Sequence, residues 1–152
     1  MDYTKYHQTF SHVSKNEIGI LIVHGITSTT SSMKYLAEQF AKADYNVELP
    51  GLTGHGTKWQ DMNYVKYTDW IDDLEKALKK LHERCSKIYL CGLSLGGGLA
   101  LFMAGKHPEI VGTILINHAS KFTNPKFWFV PILRKIVKST PAVASDIKDP
   151  NS

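Results

Sequence analysis

Lys87-Ile88-Tyr89-Leu90-Cys91-Gly92-Leu93-Ser94-Leu95-Gly96-Gly97-Gly98-Leu99-Ala100-Leu101 is the stretch that decides the fold. Its apolar run from Ile88 to Cys91 reads as a buried strand, Gly92-Leu93-Ser94-Leu95-Gly96 as a sharp turn, and the remainder as a helix starting near Gly97. Strand, turn and helix around G-x-S-x-G form the context in which that motif holds a serine hydroxyl away from both elements. Gly92 and Gly96 have a steric reason, because neighbouring chain must pass where a Cβ would otherwise stand. The free N–H groups of the helix start carry partial positive charge, which would stabilise a developing oxyanion. A glycine-rich turn with no chemical role would match the same pattern, so the flanking sequence has to decide.

The chain has 152 residues, 43% hydrophobic and 21% charged, the composition of one soluble globular domain with enough length to bury a core. Cys85 and Cys91 read as reduced packing residues. The first ten residues contain no apolar signal-peptide core and no run is long enough to span a bilayer, so a cytoplasmic location without stable membrane insertion is expected. A formal charge of +4 from scattered lysines speaks for a solvated surface and against nucleic acid as a partner. The histidines lack metal-ligand spacing, and the glycine-rich loops match neither G-x-G-x-x-G nor a phosphate-binding loop with its lysine. No metal and no cofactor are therefore expected.

Around the organising stretch the pattern alternates strand and helix. Residues near Thr9 to Val13 suggest a short edge strand, and Ile18-Gly19-Ile20-Leu21-Ile22-Val23-His24 reads as a strand buried on both faces. A helix is predicted over Ser31 to Ala43, with Ser and Thr to cap it and Leu36, Ala37 and Phe40 facing inward. A strand follows at Asn46 to Leu49, then a loop from Pro50 to Thr57, and then the clearest helix, over 68–83, with Trp70, Leu74, Ala77, Leu78 and Leu81 on one face. Gly112 to Asn117 is the last strand. The fold class is α/β: a three-layer αβα arrangement on a mainly parallel sheet, whose ligands bind at the carboxyl ends of the strands.

The unusual residues lie on the loops that leave those ends. Ser94 is the candidate nucleophile and the backbone N–H of Leu95 one oxyanion donor. A second donor is expected from the loop after the adjacent strand, where the Ile26 N–H fits and Gly25 lets the chain turn close to the elbow. His24 follows its strand too directly to act as the base, and is read as a ring pinning this loop.

Val23-His24-Gly25-Ile26-Thr27, Leu49-Pro50-Gly51-Leu52-Thr53-Gly54-His55-Gly56-Thr57 and Gly92-Leu93-Ser94-Leu95-Gly96-Gly97 together resemble the α/β-hydrolase fold. The resemblance is to its carboxylesterase and monoacylglycerol-lipase branch, which includes the serine aminopeptidase-type domains, and it covers roughly residues 10 to 120. It implies a serine carboxylester hydrolase working through an acyl-enzyme on Ser94, with Ile26 and Leu95 as the oxyanion hole and a small-molecule ester as substrate. Esters of short to medium acyl chains fit best. His55 reads as a scaffold residue of its loop.

The departure from the family is at the far end. Its triad runs in the order Ser, then Asp or Glu, then His, and the two further strand-plus-helix units that carry the acid and the base, at roughly 30 residues each, are not in these 152 residues. His107 sits beyond the elbow helix, which rises about 1.5 Å per residue away from Ser94. His118 lies at the correct edge but precedes the available acids, which speaks against it in the family's order. A catalytically dead fragment acting as a binding module is the rival reading. The chain is divided into residues 1–120, the N-terminal part of a truncated core lacking the last strands, and 121–152, where Phe127 and Trp128 resemble the start of a cap over the acyl pocket; an interfacial membrane helix and a plain core helix compete there. Trp59 could line the same pocket. The strand at Gly112 to Asn117 would leave an apolar edge unpaired, a route to a homo-oligomer or to aggregation.

Overall fold

The computed structural model describes residues 8–118, and for Trp59 it describes the backbone only. The chain divides into two compact units, Met1–Ser120 and Lys121–Ser152; the second, with Phe127 and Trp128, lies outside the described residues. The elements run β1 (Phe10–His12), β2 (Ile18–Val23), α1 (Ser31–Lys42), β3 (Asn46–Leu49), a 3₁₀ helix (Trp59–Tyr64), α2 (Tyr67–His82), β4 (Lys87–Leu93), α3 (Leu95–Lys106) and β5 (Gly112–Ile116).

The sheet has the order β1-β3-β2-β4-β5. Strands β2 to β5 are parallel to their neighbours, and β1 is an antiparallel edge on β3, with Phe10 opposite Leu49. The order has a consequence for the site. From β2 the chain crosses outward to β3, then returns and places β4 on the other flank of β2, so the loops after β2 and β4 diverge and leave a crevice between them.

Strand β2 is buried on both faces, as its unbroken β-branched pattern predicts. Leu21 and Val23 pack with Leu74, Leu78 and Leu81 of α2 and with Ala100 and Met103 of α3. Ile20 and Ile22 turn the other way, onto Met33 and Ala37 of α1 with Val47, Leu49 and Cys91. Helix α1 therefore covers one face and α2 with α3 the other. Each fully buried Leu or Ile is worth about 1.5–3 kcal/mol, which fixes the register: a slip of one residue would exchange the two faces.

Several local expectations shift. The inward face of α1 centres on buried Met33 and Ala37, while Leu36 and Phe40 pack at its margin. No side-chain cap forms at Thr30; Thr29 Oγ1 accepts the Ser31 N–H instead, at 3.3 Å. Strand β4 is longer than the apolar run suggests, and α3 begins at Leu95, two residues before the expected Gly97. On β3, fully buried Glu48 pairs with Arg84 and accepts the Ser11 hydroxyl at 2.6 Å, tying β1, β3 and the end of α2 together. Among the described residues no helix is long and apolar enough to cross a membrane.

Candidate active site

The turn between β4 and α3 has no spare residue: Leu93 ends the strand, Leu95 begins the helix, and Ser94 alone joins them. To reverse direction in one step its backbone takes φ 53° and ψ −116°. For a side chain with a Cβ this is a costly conformation, about 1–3 kcal/mol, of the kind that persists where the surroundings enforce it. Here they do. The Ser94 N–H donates to the Ile116 carbonyl of β5 at 2.9 Å, and the Ser94 carbonyl accepts the Gly97 N–H at 3.0 Å. The residue is exposed. Leu95, as the first residue of α3, has an N–H without an intrahelical acceptor.

The glycines explain how helix and sheet approach so closely. A Cβ on Gly92 would stand 2.2 Å from the Gly96 carbonyl oxygen, and one on Gly96 would stand 2.3 Å from that of Val23. Gly25 differs. A Cβ there would meet the Leu93 carbonyl oxygen at 3.5 Å and Ser94 Cβ at 3.6 Å, ordinary contact distances, so a side chain fits. The same distances bring the loop after β2 alongside Ser94, with Ile26 the next residue and 46% exposed.

That loop is held from below by His24, which is fully buried. Its Nδ1 lies 2.9 Å from the Gly25 carbonyl oxygen, and Nε2 accepts the Leu52 N–H at 3.2 Å. An acceptor Nε2 leaves the proton on Nδ1, which donates to Gly25. One ring thus joins the loops after β2 and β3. His55 packs edge-on against it, with ring centres 5.0 Å apart, and also lies against Trp70 at 5.6 Å. Its Nδ1 faces the Leu52 and Thr53 carbonyls at 3.2 and 3.3 Å.

Two anchors of the same loop were not read from the sequence. Asp73 accepts both the N–H and the hydroxyl of Thr53 at 2.7 Å, and Trp70 Nε1 donates to the Thr53 carbonyl at 3.0 Å. Helical spacing assigns Trp70 to packing and Asp73 to the helix dipole; a contact twenty residues back in the chain leaves no local signal. Residues 26–29, 54–57 and Met62 line a cleft of about 480 Å³. Ser94 is not among its walls, so the cleft lies beside the loop after β2 rather than beneath the serine. The Trp59 side chain, Phe127 and Trp128, the expected pocket residues, lie outside what is described.

Rival reactive groups are accounted for. Burial pushes the Cys91 thiol up to about 11, too high for a nucleophile at neutral pH. His107 is bonded to Glu75 at 3.0 Å and to Glu109 at 3.1 Å, just beyond the far end of α3. His118 lies elsewhere: its Cβ is 3.0 Å from where a Cβ on Gly97 would stand, so the ring sits against the first turn of α3.

The family profile described as serine aminopeptidase, S33, matches residues 14–151. A thermostable monoacylglycerol lipase from Bacillus sp. strain H-257 is 44% identical over 108 residues, which cover 71% of this chain and 43% of the lipase. Phospholipase YtpA of Bacillus subtilis strain 168 is 27% identical over 99 residues, covering 63% of this chain and 38% of that protein. A solved structure described with the metagenome-derived lipolytic enzymes LipS and LipT superposes with a TM-score of 0.77 at 38% identity, covering 82% of this chain and 51% of the other. The thioesterase domain from the curacin biosynthetic pathway, at 22% identity and a TM-score of 0.67, shares the fold. The chain spans 51% or less of the two relatives and of the lipolytic enzyme, so the match is to the N-terminal part of the fold.

Proposed function

This chain belongs to the serine aminopeptidase (S33) family, with lipases and esterases among its relatives, and we propose from that premise that Ser94 is the nucleophile of a carboxylester hydrolase. The observation that carries the reading is the backbone of Ser94: exposed, at φ 53°, and held there by the Ile116 carbonyl and the Gly97 N–H, with Gly92 and Gly96 admitting the close approach of helix and sheet. A turn that merely connected strand to helix would place glycine or asparagine at that position and avoid the strain.

In the proposed reaction Ser94 Oγ attacks the acyl carbon of an ester as a base takes its proton, and the carbonyl π pair moves onto oxygen. The N–H groups of Leu95 and Ile26 accept that charge. Collapse breaks the bond to the alkoxide oxygen, which takes that proton back and departs as the alcohol, leaving an acyl-serine that water then hydrolyses. The 480 Å³ cleft along the Ile26 loop, walled by Ile26, Met62 and threonine methyls, would take the apolar part of a short or medium ester. No organic cofactor enters this scheme.

The test is covalent labelling of the 152-residue chain by a fluorophosphonate, with hydrolysis of p-nitrophenyl esters of increasing chain length as the second readout. Labelling that disappears in Ser94→Ala supports the proposal. Equal labelling of wild type and Ser94→Ala, or none in a folded wild type, overturns it.

A further inference from the structure

Of the residues that line the 480 Å³ cleft, only Ile26 and Met62 carry large apolar side chains; the rest are threonines, a serine, two glycines and His55. The two come from different parts of the carboxyl edge. Ile26 is on the loop after β2, which passes Ser94 at Gly25, whereas Met62 is on the 3₁₀ helix that follows the loop after β3. Strand β2 stands between β3 and β4, so the edge reads in order Ser94, the Ile26 loop, and the loop after β3. Two strand spacings, about 10 Å, separate its ends. The cleft therefore runs away from the serine, and an apolar chain carried on Ser94 would cross Gly25 and Ile26 first and meet Met62 last.

Most of the far wall is fixed. The His55 ring has Nδ1 3.2 and 3.3 Å from the Leu52 and Thr53 carbonyl oxygens and packs between His24 and Trp70. Thr57 Oγ1 donates to the Gly54 carbonyl at 3.0 Å, and Gly54 itself has φ 81°. A Cβ on Gly54 would stand 2.5 Å from Val65 Cγ2 and 3.0 Å from Met62 Sδ, so the thioether lies close over that glycine. Met62 is half-buried. Its side chain is unbranched and free to change rotamer, which leaves it as the part of the wall whose reach a single substitution can lengthen or shorten.

We propose that Met62 is the specificity-determining residue of this cleft, the stop that sets how long an apolar acyl chain the site accepts, an inference that rests on the carboxylester reading of Ser94. A chain that ends short of the thioether buries more surface with each added CH₂. One that reaches it must push the side chain off Gly54 or leave its own end in water. Discrimination by length follows from that contact.

The experiment measures the rate at which the 152-residue chain is labelled by fluorophosphonates whose linear alkyl group runs from ethyl to dodecyl. Wild type, Ser94→Ala, Met62→Ala and Met62→Trp are compared, each checked for fold by circular dichroism. In wild type each accepted CH₂ should raise the rate roughly fourfold until the chain meets Met62, after which the rate levels or falls. Met62→Ala removes three heavy atoms and should move that break about two to three carbons longer, while Met62→Trp should move it shorter. The two shifts are opposite in sign, so one folded variant is enough. A break at the same length in wild type and in the folded Met62 variants, with labelling lost in Ser94→Ala, overturns the inference and leaves the nucleophile in place. Labelling that persists in Ser94→Ala overturns the nucleophile instead. A second readout needs no reaction: linear alkanols from butanol to decanol are titrated into Ser94→Ala carrying ¹³C-methyl methionine, with the Met62 resonance identified by its absence from Ser94→Ala/Met62→Ala. Alkanols should move that resonance, and one unmoved at every length shows that no apolar chain reaches Met62 and overturns the inference whatever the labelling does.

Discussion

The main chain of Val23 occupies the space that a side chain on Gly96 would need, its carbonyl oxygen 2.3 Å from the position of that absent Cβ and the His24 carbonyl oxygen 2.6 Å away. Both neighbours are backbone of the central strand and its exit, so neither can rotate aside. Gly96→Ala must push α3 off the end of β2. Forcing a methyl into a packed site costs about 1–3 kcal/mol, occasionally more, and we expect the upper end, with Tm lowered by roughly 6–12 °C for a chain of this size. Calorimetry checks it; a Tm within 2 °C or so of wild type would show that the helix start is free to move.

Gly25→Ala should behave differently. Its added methyl has room at 3.5–3.6 Å from Leu93 and Ser94, and the residue has no left-handed backbone to protect. Stability should change by no more than about 0.5–1 kcal/mol. The methyl would nevertheless stand beside the serine, on the side where the proposed ester would enter, so the rate of fluorophosphonate labelling should fall at least about tenfold, equivalent to 1.4 kcal/mol of barrier. Stability retained and labelling lost is the expected pair of results.

His24 joins the loops after β2 and β3 through one ring. Replacing it with Phe keeps the volume but strands the buried Leu52 N–H, at a cost of about 1–3 kcal/mol. The loss should be local as well as global: amide exchange of Leu52 should accelerate relative to that of Leu21 and Leu90 in the core. Uniform acceleration across the sheet would mean that His24 supports the whole domain and not this junction.

The parts of this structure visible in the sequence are those decided by neighbours along the chain. Strand β2 could be read because burial on both faces demands an unbroken apolar run, and Ser94 because the elbow needs glycines at fixed offsets. The sequence pattern puts the start of α3 at Gly97, two residues after its true start at Leu95, because glycine is a poor helix former in isolation; at Gly96 and Gly97 the close approach of β2 and of His118 outweighs that propensity. The 3₁₀ helix Trp59–Tyr64 has no apolar period to betray it. Asp73 and Trp70, which fasten Thr53, and the ring of His118, which reaches Gly97, depend on contacts across twenty residues or so. A linear pattern does not contain such contacts.

The His107 network sets a pH dependence. The His107 imidazolium donates to the Glu75 carboxylate and to that of Glu109, and these bonds raise its pKa above the ordinary value despite partial burial. Because the folded value is raised, the folded state binds the proton more tightly than the unfolded chain, whose imidazole titrates near about 6.5. The resulting stability is fully present below that value and is lost as pH climbs through the folded one. His107→Gln should therefore lower Tm most at about pH 5.5, below the unfolded value, and progressively less as pH rises through the raised folded value. A Tm difference that grows with pH would mean the sign is wrong and the ring stabilises as a neutral group.

Strand β5 ends the described sheet, and Gly112–Ile116 contains no charged residue to discourage pairing along the side that no described strand occupies. Ile114 and Leu115 are 43% and 39% exposed, and Phe102 on the adjoining helix is 52% exposed. Natural edge strands block unwanted pairing with lysine, proline or a bulge, none of which is present within β5. The 152-residue chain is therefore expected to associate with itself in a concentration-dependent way, which light scattering after size exclusion would detect. Ile114→Lys places a charge on the strand and should shift the population toward monomer. Since Ile114 is not fully buried, the substitution should leave the Tm measured at low concentration nearly unchanged. A wild-type chain that stays monomeric at high concentration would show that this apolar edge does not mediate association.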